Sequence, residues 1–259
     1  MKAMILCGGQ GTRMREETEY RPKPLVDIGG RPILWHIMKI YAHYGIRDFI
    51  LCLGYRGSMI KEYFLQYEAI NNDFTIPLGA TGEIEFHGTH SEQGIRVTLA
   101  DTGLHSMTGG RVQKAARYID DDTFLLTYGD GVADIDISAL IEFHHSHGKL
   151  ATMTAMQPVS RFGLLDVAES GSVRSFVEKP QTEDWASAGF FVLNRKVVEY
   201  LDGPECVFEQ APLQRLAADG QLMAYRHRGY FFAMDTYREY QYLNKVWDQG
   251  EAPWKVWDE

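Results

Sequence analysis

The sequence predicts an α/β protein with a mostly parallel sheet flanked by helices and a small β-rich insertion. First, short apolar runs alternate with longer segments whose apolar residues recur at helical spacing, which indicates parallel pairing. Second, two apolar runs end in glycine-rich turns that carry polar residues, as ligand sites in open α/β sheets do. Third, residues 161–177 form shorter strand-like runs without helical spacing, which indicates the insertion.

The first part of the chain defines the sheet. Residues 3–6 are apolar and are followed by a glycine-rich loop, which predicts a short buried strand. Helical spacing over 33–44 and 59–67 flanks a second buried strand at 48–54. Residues 69–94 contain repeated Asn, Asp, Pro and Gly without a clean period, so we expect an irregular excursion there.

The remaining elements follow the same reasoning. A loop is expected at 101–110. The predicted strands cover residues 95–99, 123–128, 150–157, 165–167, 173–177, 188–193, 222–226 and 230–233. The predicted helices cover residues 111–118, 137–147, 195–201, 208–219 and 237–249. Neither an internal repeat nor a low-complexity linker divides the sequence, so we expect one continuous unit.

A glycine-rich loop follows the first predicted strand. Its glycines let the backbone turn sharply and bring several N–H groups close to a ligand. A hydroxyl and a guanidinium follow, and an ammonium group stands further along on a segment stiffened by two prolines. This combination suits a polyphosphate. The residues concerned are Gly8, Gly9, Gly11, Thr12, Arg13 and Lys23.

Two familiar phosphate loops do not match this stretch. A P-loop requires Gly-Lys-Ser/Thr, whereas this chain has Gly11-Thr12-Arg13. A dinucleotide fingerprint requires a third glycine where Met14 stands, and Asp27, the candidate acid after the loop, follows two prolines rather than a second strand. A tight turn without a ligand is the structural alternative to a phosphate site.

A second candidate site follows the predicted strand at 123–128, which ends in Gly129-Asp130-Gly131. Open α/β sheets place their ligands at the carboxyl ends of central strands. A turn aspartate is the alternative interpretation of this tripeptide. We favour a ligand-binding role for Asp130, because the glycine-rich loop is predicted to lie at the same edge of the sheet.

Composition limits the partners. The chain has 259 residues and a net charge of −9, which argues against nucleic acid and anionic membranes as partners. It has no long apolar run and no basic leader, so we expect neither a membrane span nor a secretory signal. Cys7, Cys52 and Cys206 show no metal or disulfide spacing, which fits the cytoplasm. The histidines at 144, 145 and 147 predict a polar helix end rather than a metal site.

The loop together with Pro22-Lys23-Pro24 resembles the signature of sugar-phosphate nucleotidyltransferases, which join a nucleoside triphosphate to a sugar 1-phosphate. Further stretches resemble the glucose-1-phosphate cytidylyltransferase family over nearly the whole chain. They lie at residues 32–39, 108–111, 127–134, 161–163, 178–180, 189–193, 234–236 and 252–255.

That family makes CDP-glucose and diphosphate from CTP and α-D-glucose 1-phosphate, using Mg²⁺. The resemblance implies a Rossmann-like domain of the nucleotide-diphospho-sugar transferase type over residues 1–259. Its parts are a nucleotide-binding part (about 1–157), a sugar-binding part (about 158–235), and a C-terminal helix and tail (about 236–259). It also implies a homo-oligomer of three or six subunits, for which the aromatic residues Trp247, Trp254 and Trp257 offer apolar contact area.

The resemblance also assigns site residues. The catalytic residues are Arg13, Lys23 and Asp130, and the ligands of Mg²⁺, or of Mn²⁺ in its place, are Asp130 and Asp235. The sugar-phosphate residues are Gly163, Glu178, Lys179 and Ser187. The nucleotide residues are Leu6, Cys7, Gly8, Gly9, Gln10, Gly11, Thr12, Arg13, Lys23, Ser106, Arg111 and Gly129. For Arg111, a solvated position on the first turn of the helix at 111–118 is the alternative.

Two positions depart from the family pattern. Cys7 replaces an alanine, which the loop tolerates because both residues are small. Ser187 replaces an asparagine that faces a glucose hydroxyl, so we expect glucose 1-phosphate to be usable with relaxed selectivity. A different sugar or other phosphate, a thymidylyl- or uridylyltransferase, and a non-catalytic nucleotide-sugar sensor are the alternatives.

Overall fold

The computed structural model of the protein describes residues 1–12, 14–79, 83–160 and 162–258. Within them the strands are β1 (Ala3–Leu6), β2 (Asp27–Ile28), β3 (Arg31–Pro32), β4 (Asp48–Leu53), β5 (Asp73–Thr75), β6 (Glu85–His87), β7 (Arg96–Asp101), β8 (Thr123–Tyr128), β9 (Gly131–Ala133), β10 (Ala151–Met156), β11 (Leu164–Val167), β12 (Val173–Val177), β13 (Ala186–Asn194), β14 (Leu222–Arg226) and β15 (Phe231–Ala233). The α-helices are α1 (Arg15–Thr18), α2 (Ile33–His43), α3 (Gly57–Leu65), α4 (Tyr67–Asn71), α5 (Thr108–Ala115), α6 (Ile137–His147), α7 (Ala211–Ala218) and α8 (Tyr237–Asp248). Short 3₁₀ helices cover Lys23–Leu25, Ala116–Tyr118 and Arg195–Tyr200.

A seven-stranded sheet with the order β14-β10-β13-β8-β1-β4-β7 forms the centre of the fold. β13 runs antiparallel to both of its neighbours, and the other pairings in the sheet are parallel. The predicted α/β architecture with a mostly parallel sheet is therefore confirmed. β13 and β14 fall within the predicted sugar-binding part at 158–235, yet they belong to the central sheet. Two pieces lie outside it: the hairpin β11–β12, between Met156 and Ala186, and β15, which pairs with β9.

The central strands are apolar throughout because both faces of the sheet are covered. In β1, Ala3 and Ile5 face a core that α2 and the C-terminal tail complete. Met4 and Leu6 point the opposite way, into a second core that includes residues of α5 and α7. This alternation follows from the two-residue period of a strand. Because the strands are packed on both faces, their carboxyl ends and the loops that follow these ends are held in place.

The carboxyl ends of β1, β4, β7 and β8 meet at one edge of the sheet, since these strands are mutually parallel. The backbone pairing extends past β1, because Cys7 N donates to Cys52 O at 3.0 Å. Gly129 N donates to Leu6 O, also at 3.0 Å. The loops that follow these strands are therefore held side by side, as ligand sites of such sheets require.

Two local expectations were wrong. The excursion at 69–94 contains the last residues of α4 and the antiparallel hairpin β5–β6. The helix predicted from Arg111 begins at Thr108, because Gly109 is helical despite its low helix propensity. A Cβ atom on Gly109 would lie 2.7 Å from Cys206 Sγ, so this helix needs glycine to approach its neighbour closely. The sequence pattern alone does not reveal that contact.

The aromatic tail packs within its own chain. Trp254 is fully buried and Trp257 is 7% exposed, and both belong to the core around α2. Trp254 Nε1 donates to His36 Nδ1 at 3.3 Å, and His36 Nε2 contacts the carbonyl of Ile28 at 2.9 Å. The prediction that these two residues offer apolar area for subunit contact was therefore wrong, because the core of their own chain already covers their apolar surface.

Two histidines near the end of α6, His144 and His147, contact the same side chain on β10. His144 Nδ1 and His147 Nε2 both contact Thr152 Oγ1, at 2.9 and 2.7 Å. In the described part of the chain, no helix combines the length and apolar character needed to cross a membrane.

Candidate active site

The glycine-rich loop lines a cleft of about 560 Å³ at the carboxyl edge of the sheet. The cleft brings together the predicted nucleotide residues that the structure describes, whereas Arg13 lies outside the described residues. The lining residues are Leu6, Cys7, Gly8, Gly9, Gln10, Gly11, Thr12, Lys23, Pro24, Leu104, His105, Ser106, Met107, Thr108, Arg111, Tyr128, Gly129 and Asp130.

Arg111, on α5, is 5% exposed and anchors the loops around the cleft. Its Nη1 donates to the carbonyls of Leu53 at 3.0 Å and Gly103 at 2.8 Å, and its Nη2 donates to Gly8 O at 3.0 Å. The alternative of a solvated Arg111 on a first helical turn is therefore wrong. One guanidinium joins the glycine-rich loop to the ends of β4 and β7.

Two glycines provide the space for this guanidinium. A Cβ atom on Gly8 would lie 2.2 Å from Arg111 Nη1, and one on Gly54 would lie 2.4 Å from the same atom. Burial lowers the pKa of Arg111. Carbonyl oxygens surround the charge in place of water, which compensates for part of the lost hydration. Gly8 therefore serves the packing of Arg111 as well as the turn.

Ser106 also lines the cleft and is 7% exposed. Its hydroxyl donates to Thr102 O at 2.6 Å and accepts from Lys114 Nζ at 3.0 Å. Lys114 Nζ also donates to Thr102 O, at 2.9 Å. The loop at 102–107 is thus held by its own side chains and by Arg111.

The acidic pair is assembled by a short two-stranded ladder. β9 pairs antiparallel with β15, so that Gly131 lies opposite Ala233. Met234 N donates to Asp130 O at 2.9 Å, which continues the pairing. Asp130 and Asp235 are distant in sequence, and this ladder places them beside each other.

Lys23 Nζ lies between these carboxylates, at 2.7 Å from Asp130 Oδ2 and 2.7 Å from Asp235 Oδ1. Burial by itself would lower the pKa of Lys23, but the charge of Asp130 and hydrogen bonds to both aspartates outweigh it and raise the pKa. Lys23 is therefore an ammonium ion at neutral pH.

The donor set fits Mg²⁺. Carboxylate oxygens are the ligands this ion prefers, and it usually takes one or two carboxylates while substrate phosphates and water complete its shell. Among the described residues there is no group of three or more His, Cys, Asp or Glu side chains placed to hold a metal. Mn²⁺ accepts the same donors.

Glu239 positions Asp235 and was not predicted. Its Oε2 accepts hydrogen bonds from Asp235 N and Thr236 N, both at 2.7 Å, while Thr236 Oγ1 accepts from Glu239 N. This is a capping box at the start of α8. The pattern Thr-x-x-Glu at 236–239 is the sequence signal that identifies it.

The predicted sugar-phosphate residues lie apart from this cleft, and none of the four is among its lining residues. Gly163 lies beside Glu178, since a Cβ on Gly163 would be 3.0 Å from Glu178 Oε2. Lys179 Nζ is 3.7 Å from Glu178 Oε1. Ser187 is exposed, and its Oγ accepts from Gly189 N at 3.3 Å. The structure thus groups three of them on the hairpin side and leaves Ser187 on β13.

Tyr128 and Thr108 line the cleft and were not predicted. Both hydroxyls donate to the carboxylate of Glu209, with Thr108 Oγ1 at 2.6 Å from Oε2. Burial, followed by the charge of Glu209, raises the pKa of Tyr128. Tyr128 could have been found at the end of a buried strand, but no motif marks Glu209.

Comparison with known proteins is consistent with this geometry. The nucleotidyl transferase family model matches residues 2–230. A glucose-1-phosphate cytidylyltransferase of Salmonella typhi is 52% identical over 260 residues, covering 100% of both chains. A probable glucose-1-phosphate cytidylyltransferase of Bacillus subtilis is 50% identical over 259 residues, covering 99% of this chain and 100% of the relative. The chain therefore belongs to the nucleotidyl transferase family and, within it, to the group of glucose-1-phosphate cytidylyltransferases.

The solved structure of HddC from Yersinia pseudotuberculosis is similar in fold. It gives a TM-score of 0.68 at 23% sequence identity, covering 95% of this chain and 99% of that chain. At this identity the likeness concerns the fold alone.

Proposed function

We propose that this protein transfers the cytidylyl group of CTP to α-D-glucose 1-phosphate, giving CDP-glucose and diphosphate. The observation that carries the proposal is the convergence of the glycine-rich loop, Lys23 and two carboxylates at one edge of the sheet. The relatives named above support the choice of base and sugar.

The reaction needs no general base. A phosphate monoester is largely a dianion near neutral pH, since its second pKa is about 6. A sugar-phosphate oxygen forms a bond to the α-phosphorus of CTP, and the bond from that phosphorus to the bridging oxygen breaks with its electrons leaving on diphosphate. The protein holds two anions in line and neutralises their charge.

Each charged residue has a role in this scheme. Lys23 neutralises the α-phosphate, and Arg13 binds the leaving diphosphate. Asp130 and Asp235 would hold Mg²⁺ or Mn²⁺, which neutralises phosphate charge when bound. Glu239 is a positioning residue, since it fixes the backbone of Asp235.

The base and the sugar are recognised by different parts of the chain. Cytosine offers an amino donor and two acceptors, so its pocket needs protein acceptors and a donor. We assign this pocket to Ser106 and the loop around it, with Arg111 holding that loop against the glycine-rich loop. Glu178 and Lys179 bind the sugar phosphate with Gly163, and Ser187 faces the sugar.

The setting of this activity is the cytoplasm, where sugar phosphates and CTP are available.

We also propose a homo-oligomer of three or six subunits. Apolar residues on the β11–β12 hairpin support it: Leu165 is 56% exposed and Phe176 is 60% exposed. Uncovered apolar area of this kind is typical of contact surfaces. Light scattering at micromolar concentration tests the assembly, and a monomer would contradict it.

An assay of diphosphate release tests the activity. Purified protein with Mg²⁺ is given CTP, UTP, dTTP or GTP, each with α-D-glucose 1-phosphate, and the product is identified by mass spectrometry. We expect turnover with CTP and the mass of CDP-glucose. Preference for another nucleotide would overturn the choice of base, and no release with any nucleotide would overturn the activity.

A further inference from the structure

We propose that Lys23 is a stand-in cation: in the empty enzyme its ammonium group occupies the position between Asp130 and Asp235 that a divalent ion takes once nucleotide is bound. The inference rests on the proposed function, because it assumes that these carboxylates are the metal ligands. It adds a coupling between metal and nucleotide that the reaction itself does not require.

The geometry places one charge in that position. Lys23 Nζ makes two 2.7 Å contacts, one with each carboxylate, and the Lys23 side chain is only 11% exposed. Mg²⁺ holds its oxygen ligands at about 2.0–2.1 Å, so an ammonium group and the ion cannot share the space between the same two oxygens. One must leave when the other enters.

The fold supplies a reason for the arrangement. The β9–β15 ladder brings two carboxylates together whether or not metal is present, and like charges repel without a counter-ion. The backbone of Lys23 is fixed between Pro22 and Pro24 in a 3₁₀ turn. Its side chain has four methylene groups and lines the nucleotide cleft. The ammonium can therefore move toward a bound phosphate while the backbone stays in place.

This exchange has a thermodynamic consequence. Free metal must displace an ammonium group that then loses both partners in a low-dielectric site. Metal that arrives with a nucleotide brings phosphate oxygens, which become the new partners of Lys23. Metal and nucleotide therefore bind with positive coupling, and the empty enzyme binds free metal weakly.

Mn²⁺ titration followed by EPR tests this without using activity. In the absence of nucleotide, Lys23→Met and Lys23→Gln should bind Mn²⁺ about tenfold more tightly than wild type, or more, because a unit positive charge beside the ion is removed. The matched control is Lys39→Met, which removes a buried charge that pairs with Glu92 outside the cleft. Unchanged affinity in both Lys23 variants, or equal tightening in the control, would overturn the proposal.

Two further measurements separate the possible failures. In a crystal structure of wild-type enzyme with Mn²⁺ and inorganic diphosphate, Lys23 Nζ should have left the two carboxylates. If it still contacts both while Mn²⁺ is bound to them, the stand-in role is wrong and the metal site stands. If Asp130→Asn in the Lys23→Met background leaves Mn²⁺ affinity unchanged, the carboxylates are not the ligands and the metal role in the proposed function fails.

Discussion

The nucleotide side and the sugar side of the site differ in how far the empty protein has assembled them. On the nucleotide side, the Lys23 side chain is 11% exposed and Arg111 is 5% exposed, and both have several partners. On the sugar side, the side chains of Glu178 and Lys179 are 61% and 55% exposed. The first set is buried and hydrogen-bonded in the empty protein, and the second is open to solvent.

The difference follows from the elements that carry each set. The nucleotide side stands on the ends of parallel strands that are buried on both faces. The sugar side stands mainly on β11–β12, a two-stranded hairpin whose residues are all exposed. An isolated hairpin has little core to order it. The hairpin is therefore held mainly by the pairing of its own two strands.

Loss of a carboxylate on the nucleotide side should have the largest effect. Asp130→Asn and Asp235→Asn should each lower kcat by about a thousandfold, since removing an anionic metal ligand costs several kcal/mol of charge stabilisation. The assay is steady-state diphosphate release at limiting Mg²⁺, with circular dichroism to check the fold. Asp166→Asn, an exposed acid on β11, is the control and should retain activity. Near-normal turnover of either site variant would remove that aspartate from the metal site.

Replacement of Arg111 on the nucleotide side should lower the stability of the protein more than replacement of a charged residue on the sugar side. Arg111→Met removes the side-chain hydrogen bonds to the carbonyls of Gly8, Leu53 and Gly103, and should lower the free energy of unfolding by about 3 kcal/mol. Lys179→Met on the sugar side should change it by less than about 0.5 kcal/mol. Urea unfolding measures both. Equal losses would contradict the comparison.

Low pH should destabilise the core around α2, to which His36 belongs. Burial lowers the pKa of His36 to about 4, below its ordinary value of 6.5. The unfolded chain therefore binds a proton first, so stability is fully present above pH 6.5 and declines as pH falls toward 4, by about 3 kcal/mol in total. Urea unfolding at several pH values should show a shallower decline for His36→Gln. The exposed His145→Gln is the control, and an identical slope in wild type and His36→Gln would exclude this origin.

Ser187 should give the smallest effect. Asparagine at this position offers a carbonyl acceptor and two N–H donors, whereas serine is shorter and has one donor. Ser187→Asn should raise kcat/KM for glucose 1-phosphate several-fold relative to the galactose, mannose and glucosamine 1-phosphates, because one hydrogen bond is worth about 1 kcal/mol. Ser170→Asn, in the hairpin turn, is the control. If no ratio changes, this position does not select the sugar.

The sequence was sufficient where function depends on local patterns. The first strand, the glycine-rich loop and the Gly-Asp-Gly turn are each formed by consecutive residues, so the apolar pattern and the turn residues identify them. Asp130 and Asp235 were each placed at a strand end, but their contact with Lys23 depends on pairing between β9 and β15, which no local pattern shows.

The sequence was insufficient where one residue serves a distant one. The residues alone left a solvated position open for Arg111, because its acceptors come from the ends of β4 and β7 and from the glycine-rich loop. Gly109 was predicted to lie in a loop. Its place in a helix depends on close packing against Cys206, which is distant in sequence. The tail tryptophans appeared available for subunit contact, because their packing against α2 is a tertiary contact that no local sequence pattern shows.

Calorimetric titration of each substrate alone tests whether the empty protein has assembled the nucleotide side but not the sugar side. The ligands are α-D-glucose 1-phosphate and a CTP analogue with a methylene group between the α- and β-phosphorus, which cannot react, each with Mg²⁺. We expect the analogue to bind the empty protein, and glucose 1-phosphate to bind measurably only when the analogue is present. Glucose 1-phosphate that binds the empty protein as tightly as the analogue-bound protein would contradict it.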